Sequence, residues 1–344
     1  MSFFSRCRFA ATTAVDRSAR VDGGLFVGLG QTWQAADAIA ITHALSQARR
    51  PMTSDNPQLP EANMQNWSED TVRHLREHYD EAATYWGKWA DPMAEQQIKV
   101  NQALLVAASV KPGAQLLDLA SGAGEPAVTA SAMVGDTGLV TATDISEPMV
   151  KALVQRMTRL GLSNVSCRQA DMEALPFGDA SFDAVTCRYG LMYAHDAGRA
   201  VAEAARVVRP GGRVAYMVWG PEANNSVIYH GARAANAFLG GVLPEESFSA
   251  PTRFAEPGIV SALMVAAGLA DAQEQELIFE PRIKVGLPFW APLLEMNSTH
   301  IWTALAPDVQ KKVHQAIAQA YESFRDGDSY KLKTHMRIAF ARRP

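Results

Sequence analysis

The chain has 344 residues, 48% of them apolar and 20% charged, which reads as one enzyme-sized domain with additions and excludes a string of small modules. The formal charge is −4 and no long basic block tracks a phosphate backbone, so no nucleic-acid partner is expected. No run approaches the roughly 18 apolar residues that span a bilayer, so no integral membrane segment is expected, while peripheral contact with a lipid-bearing surface stays compatible.

Residues 1–51 carry Arg6, Arg8, Arg17, Arg20, Arg49 and Arg50 with no Lys or Glu. That composition suits an organelle-targeting leader or an upstream extension from an incorrect start, since Met52 opens a polar, Pro-containing run. Residues 1–60 are therefore read as a disordered or non-native extension without assigned function. Cys7, Cys167 and Cys187 are odd in number and lack metal spacing, which fits a reducing, cytoplasmic location.

Residues 61–110 predict N-terminal cap helices. Val72, Leu75, Tyr79, Ala82, Tyr85, Trp86 and Trp89 recur at helical intervals, and a second helix is expected from Pro92 to about Val110. From 111 to 344 a single catalytic domain is expected. Strands are predicted over 115–120, 138–145, 164–170, 181–190 and 211–220. Helices are predicted over 124–134, 146–161 and 197–209, with Ser146 as N-cap and Gly161 after the last turn. Apolar strands alternating with helices imply an α/β, doubly wound, mostly parallel sheet.

Residues 220–262 are rich in Pro, Gly and Asn and read as an excursion before a helix at 257–269. Strands over 273–285 and 329–343, separated by a helical insertion at about 288–325, complete a seven-stranded sheet.

The strongest local signal is LLDLASGAGEPAVTAS at 116–131. Asp118 ends a strand, and Gly122 and Gly124 make a tight turn into a helix starting near Glu125 or Pro126, a turn that lets a ligand approach the backbone. A dinucleotide site would place a third glycine at 127, where this chain has Ala, and Glu125 beside the turn would repel a diphosphate. Asp144 ends the next strand, where a carboxylate accepts from both ribose hydroxyls. Met149 lies one turn into the following helix, over the adenine edge or in the core. Asp171 and Met172 follow the third strand, placed to read an adenine amino group and ring.

LLDLASGAGEPA, TATDIS, QADMEALPF, SFDAVTCRYGLMYAHD and ARVVRPGGRVAYMVW together resemble the successive motifs of class I S-adenosylmethionine-dependent methyltransferases, especially the branch with quinone-ring C-methyltransferases. The resemblance covers about 110–220, and 68–108 more loosely. It implies S-adenosylmethionine as cofactor, with Gly122 and Gly124 under its methionine part and Ser121 among the cofactor-binding residues. It further implies that Asp144 holds the ribose, Asp171 with Met172 reads adenine, and Arg188 and Tyr189 lie near the methionine and the transferring methyl, with Asp118, Ile145 and Met149 also at the cofactor. YDEAATYW at 79–86 resembles the helix that closes over the cofactor, with Tyr79 as its contact.

Donor alignment requires no metal, and the His residues form no ligand cluster. His195, after the fourth strand, has the chemistry of a base, or it is a helix-start residue beside an Asp196 cap. Arg188 pairs either with the cofactor carboxylate or with an internal acid. Tyr189, Tyr193, Trp219 and Trp86 suggest an aromatic wall. Phe289, Trp290, Trp302 and Tyr321 suggest an apolar cap, or simply what those helices need in order to dock.

The expected activity is methyl transfer to a small apolar or aromatic acceptor, such as a quinone precursor. N- or O-methylation of a natural product or lipid, and a non-catalytic cofactor-binding scaffold, are the alternatives.

Overall fold

The computed structural model describes residues 66–243 and 245–344; the expectations for the N-terminal extension and for Cys7 lie outside them. The described chain opens with α1 (Glu69–Ala107), where Ser68 Oγ accepts from the Thr71 N–H at 3.1 Å. Two helices were expected here, but α1 is continuous through Pro92. An interior proline removes one helical hydrogen bond and costs about 3 kcal/mol. Both flanks are pinned, however: Trp86 donates to Met296 O before it, and Leu104 and Leu105 are fully buried after it.

The sheet begins with β1 (Gln115–Leu119), α2 (Ala127–Val134), β2 (Leu139–Asp144), α3 (Glu147–Arg159), β3 (Val165–Gln169) and β4 (Phe182–Arg188). It continues with α4 (Ala197–Val207), β5 (Val208–Trp219), α5 (Ser226–Phe238), α6 (Ile259–Ala266) and β6 (Ala270–Phe279). Helix α2 starts at Ala127, slightly later than expected. Ser146 Oγ accepts from Met149 N–H at 3.2 Å, capping α3. Gly161 closes that helix with φ +67°.

The remaining elements are β7 (Arg282–Lys284), α7 (Ala291–Asn297), α8 (Thr299–Ala304), α9 (Pro307–Tyr321), β8 (Arg325–Asp326), β9 (Ser329–Lys331) and β10 (Thr334–Arg342). Each of the two late strands expected from the sequence is therefore split. Pro281 has no N–H to continue the β6 ladder, and β7 pairs with β9 in a separate three-stranded sheet, β7-β9-β8. Lys333 N–H turns out of β9 to donate to Ser226 Oγ at 2.8 Å.

The main sheet has seven strands in the order β3-β2-β1-β4-β5-β10-β6. The first five are parallel, and β10 runs antiparallel to both β5 and β6. Alternation sends Leu116 to a core beneath α1, α2 and α3, and Leu117 to a core beneath α4 and α6. β1 has β2 on one side and β4 on the other, so the chain reverses its direction of winding there. That reversal opens a crevice at the strands' C-terminal edge.

Helix α5 lies in the stretch read from sequence as an excursion. It docks on α9 through Tyr321, whose hydroxyl accepts from Gly231 N–H at 3.1 Å and donates to Ser226 O at 3.0 Å. Among the described residues no helix is long and apolar enough to cross a membrane.

Candidate functional site

The glycine turn sits on a buried hydrogen-bonded floor. Asp118 is fully buried; its Oδ2 accepts from Ser121 Oγ at 2.7 Å and its Oδ1 from Thr186 Oγ1 at 2.8 Å. Burial pushes this carboxyl up to about 7, against the pull of those two hydroxyls. The sequence reading put Asp118 at the cofactor; the structure puts it beneath the turn, where it braces Ser121 while Ser121 N–H donates to Thr143 O at 2.8 Å.

Asp144 closes the turn from the β2 side. Its Oδ2 accepts from Gly122 N–H at 2.9 Å and its Oδ1 from Ser146 N–H at 3.0 Å. The Ile145 N–H also donates to this carboxylate, and desolvation raises the group's pKa, with Asp80 adding to the rise. Gly122 has φ +52° and open space where a Cβ would stand, as a ligand lying on the turn requires. Gly124 serves a different end: at φ +113°, its Cβ would stand 2.9 Å from Met157 Cε and 3.1 Å from Leu153 Cδ1. Gly124 thus lets the loop close onto α3. Met149 is buried in protein, and Ile145 is half-buried with its carbonyl accepting from Gln169 Nε2 at 3.0 Å.

Glu125 does not face a ligand. It accepts from Arg156 Nη2 at 2.9 Å and from Asn101 Nδ2 at 2.7 Å, so its charge is already neutralised and repulsion of a diphosphate loses its basis. Arg156 also donates to Asp91 of α1 at 2.8 Å and to Ala123 O at 2.9 Å, tying α1, α3 and the glycine turn together.

Helix α1 lies across the crevice. Tyr79 is hydrogen-bonded to Tyr193, with ring centroids 5.4 Å apart, and burial raises the pKa of both phenols. The neighbouring Asp80 has a buried Oδ1 with no hydrogen-bond partner among the described residues. The N-terminal half of α1 is clamped by the insertion, where Lys88 and Trp89 donate to Glu295 at 2.6 and 2.7 Å.

At the tips of β4 and β5, Tyr189 adopts φ +57°, donates its N–H to Met217 O at 2.9 Å and stacks on Trp219. Arg188 leaves the same tip toward α1, donating to Asn101 Oδ1 at 2.9 Å and Gln97 Oε1 at 2.7 Å.

After β3, Asp171 is exposed and its Oδ1 accepts from Glu173 N–H at 2.8 Å, while Met172 is half-buried against the core. His195 lies beside Glu173, its carbonyl accepting from Trp67 N–H at 3.1 Å. Its Nδ1 is buried without a partner among the described residues. Asp196 caps α4 through Arg199 N–H at 2.9 Å. Trp67, which no local pattern in the sequence singles out, also donates from its indole to Met192 O at 2.9 Å.

The aromatic residues of the insertion are committed to its own core. Phe289, Trp290, Trp302 and Tyr321 are all buried, and the cavity left between α5 and α7–α9 is about 20 Å³, lined by Leu239, Leu294, Trp302 and Val313 among others. They dock the insertion, and its composition says nothing about an acceptor.

Residues 69–245 match the model of the ubiE/COQ5 methyltransferase family. The chain belongs to this family. The ubiquinone/menaquinone biosynthesis C-methyltransferase UbiE of Shewanella halifaxensis is 41% identical over 108 residues, 31% of this chain and 43% of that protein. Its counterpart in Enterobacter sp. is 38% identical over 136 residues, 39% of this chain and 53% of that protein. The chain thus matches about half the length of these curated relatives. A crystal structure of the [4+2]-cyclase SpnF, 19% identical, shares the fold with a TM-score of 0.51 over 79% of this chain and 96% of that one. Membership of the ubiE/COQ5 family agrees with the motif series at 110–220 and covers α1, the glycine turn and the first five strands.

Proposed function

We propose that the chain catalyses methyl transfer from S-adenosylmethionine to a small apolar or aromatic metabolite of the quinone-precursor class. The observation that carries this reading is the Asp144 carboxylate. It is tied to the open Gly122 turn at 2.9 Å, at the switch point of a ubiE/COQ5-family sheet.

The residues present fit the cofactor. Asp144 is suited to accept from the ribose hydroxyls, and Gly122 leaves room for the sulfur-bearing chain. Asp171 and Met172, in the loop after β3, are the residues we assign to adenine. When bound, the sulfonium supplies an already activated methyl group, so the protein's task is to align donor and acceptor at roughly 3–3.5 Å and to exclude water.

Tyr79 and Tyr193 close the crevice from above. The Tyr189–Trp219 stack offers a flat apolar face at the β4 and β5 tips, suited to a planar acceptor ring. Methylation at a ring carbon releases a proton, and the unpartnered Nδ1 of His195 makes that side chain the base we favour. An odd number of cysteines without metal spacing supports a reducing, cytoplasmic location.

Incubation with isotopically labelled methyl donor and a metabolite extract, followed by mass fragmentation of labelled products, tests the proposal. Label on a ring carbon is the expected result. Label on nitrogen or oxygen would replace the acceptor class with an amine, a hydroxyl-bearing natural product or a lipid. Cofactor uptake without any labelled product would leave a scaffold.

A further inference from the structure

We infer that Arg188, oriented by Asn101 and Gln97 of α1, forms the subsite for the amino-acid carboxylate of the cofactor; this rests on the proposed cofactor reading. The guanidinium leaves the tip of β4 and donates to two neutral amide oxygens, Asn101 Oδ1 at 2.9 Å and Gln97 Oε1 at 2.7 Å. Its Nε is buried with no acceptor, and no carboxylate lies within ion-pair distance among the described residues. An arginine presents five N–H donors; two are used here, and the buried Nε has no partner among the described residues.

Arg156, in the same layer, shows the contrast. It is paired with both Glu125 and Asp91 at 2.9 and 2.8 Å. A half-buried guanidinium whose hydrogen-bond partners are neutral and whose Nε is buried without an acceptor gains most from an anion that pairs with it.

The acids nearest to Arg188 are already engaged. Both oxygens of Asp118 are occupied by Ser121 and Thr186, and Glu125 belongs to Arg156. Asn101 keeps Glu125 and Arg188 apart. Its fully buried Nδ2 donates to Glu125 Oε2 at 2.7 Å and Thr129 Oγ1 at 3.0 Å, so its carbonyl oxygen must face the arginine. The neutral amide thus orients the guanidinium without cancelling its charge.

The position suits an extended ligand. Asp144 ends β2 and Arg188 ends β4, on opposite sides of β1. Two strand spacings, about 10 Å, separate a hydroxyl-binding carboxylate from a carboxylate-binding arginine, with the open Gly122 turn between them.

The test is calorimetric titration of the full chain with S-adenosylhomocysteine and, separately, with 5′-methylthioadenosine, which keeps the adenosine and sulfur but lacks the amino-acid end. The wild type should favour S-adenosylhomocysteine. Arg188→Met should lower that affinity by about ten- to a hundredfold while leaving methylthioadenosine within about twofold, the scatter expected of a site not touched. Arg188→Lys should restore part of the loss. Asn101→Asp, which places a carboxylate against the guanidinium, should reproduce it.

Equal losses on both ligands would overturn the inference by making Arg188 a scaffold residue. Unchanged S-adenosylhomocysteine affinity with a raised KM for the acceptor would overturn it by assigning the arginine to the acceptor. A wild type that binds the two ligands equally would overturn it while leaving the cofactor reading intact. A wild type that binds neither would defeat both.

Discussion

Tyr189 lies flat on Trp219, with ring centroids 3.9 Å apart and planes 3° from parallel. Tyr189 holds φ +57°, a conformation costing a residue with a Cβ on the order of 1 kcal/mol or more, and the stack is one contact that offsets the cost. Trp219→Leu keeps an apolar side chain but removes the stack. Stability to urea should fall by about 1–3 kcal/mol, and the acceptor KM should rise more than the cofactor KM. Unchanged stability would show that the β4 tip is held by the Met217 hydrogen bond alone.

Asp144→Ala should weaken S-adenosylhomocysteine binding by about a hundredfold or more, since charge-assisted hydrogen bonds contribute about 1.5–3 kcal/mol each. Asp144→Asn retains one acceptor oxygen and should sit between the alanine variant and wild type. Calorimetric affinities of the three proteins decide the matter; equal affinities would remove the ribose role.

Asp118 gives the fold a signed pH dependence. Its carboxyl rises from an ordinary 3.8 to about 7 on burial, so between those values the folded state binds more protons than the unfolded one. Its contribution to stability is therefore complete below about pH 4 and is lost as pH rises through 7. Asp118→Asn cannot ionise, so its denaturation midpoint should be flatter than wild type between those limits. A wild-type profile that is equally flat would contradict the buried charge.

Gly124→Ala tests the packing of the turn onto α3. The added carbon would meet Met157 Cε at 2.9 Å and Arg156 Nη1 at 3.1 Å, at φ +113°. A loss of about 1–3 kcal/mol or more is expected, together with weaker cofactor binding as Arg156 is pushed from Glu125. Gly122→Ala, with open space at its Cβ, should lose affinity for the cofactor more than stability.

His195→Gln should lower kcat at saturation by about a hundredfold if the ring is the base, with the cofactor KM unchanged. A full rate would leave His195 as the residue in front of the Asp196 cap.

The sequence made legible what local rules determine. Strands β1 to β5 carry short apolar runs, Ser146 and Asp196 are recognisable caps, and Gly122 and Asp144 stand at strand ends where ligands gather. What it hid is set by distant partners. Pro92 reads as a helix end until the Glu295 contacts before it and the burial of Leu104 and Leu105 after it are known. α5 is masked by the Pro, Gly and Asn around it and is secured by Tyr321, some ninety residues away. Pro281 divides β6 from β7, but that β7 joins a different sheet depends on β9. In the site, Gln97, Asn101 and Trp67 look like ordinary residues of a helix or loop. Their roles come from Arg188 and Met192, 91, 87 and 125 positions distant respectively.

The most direct measurement is calorimetric titration of the full chain with S-adenosylhomocysteine, run beside NADH and beside the Asp144→Ala variant. A single saturable site for S-adenosylhomocysteine, abolished or strongly weakened by Asp144→Ala, with no uptake of NADH, is the predicted result. Saturable NADH binding with no heat from S-adenosylhomocysteine would contradict it.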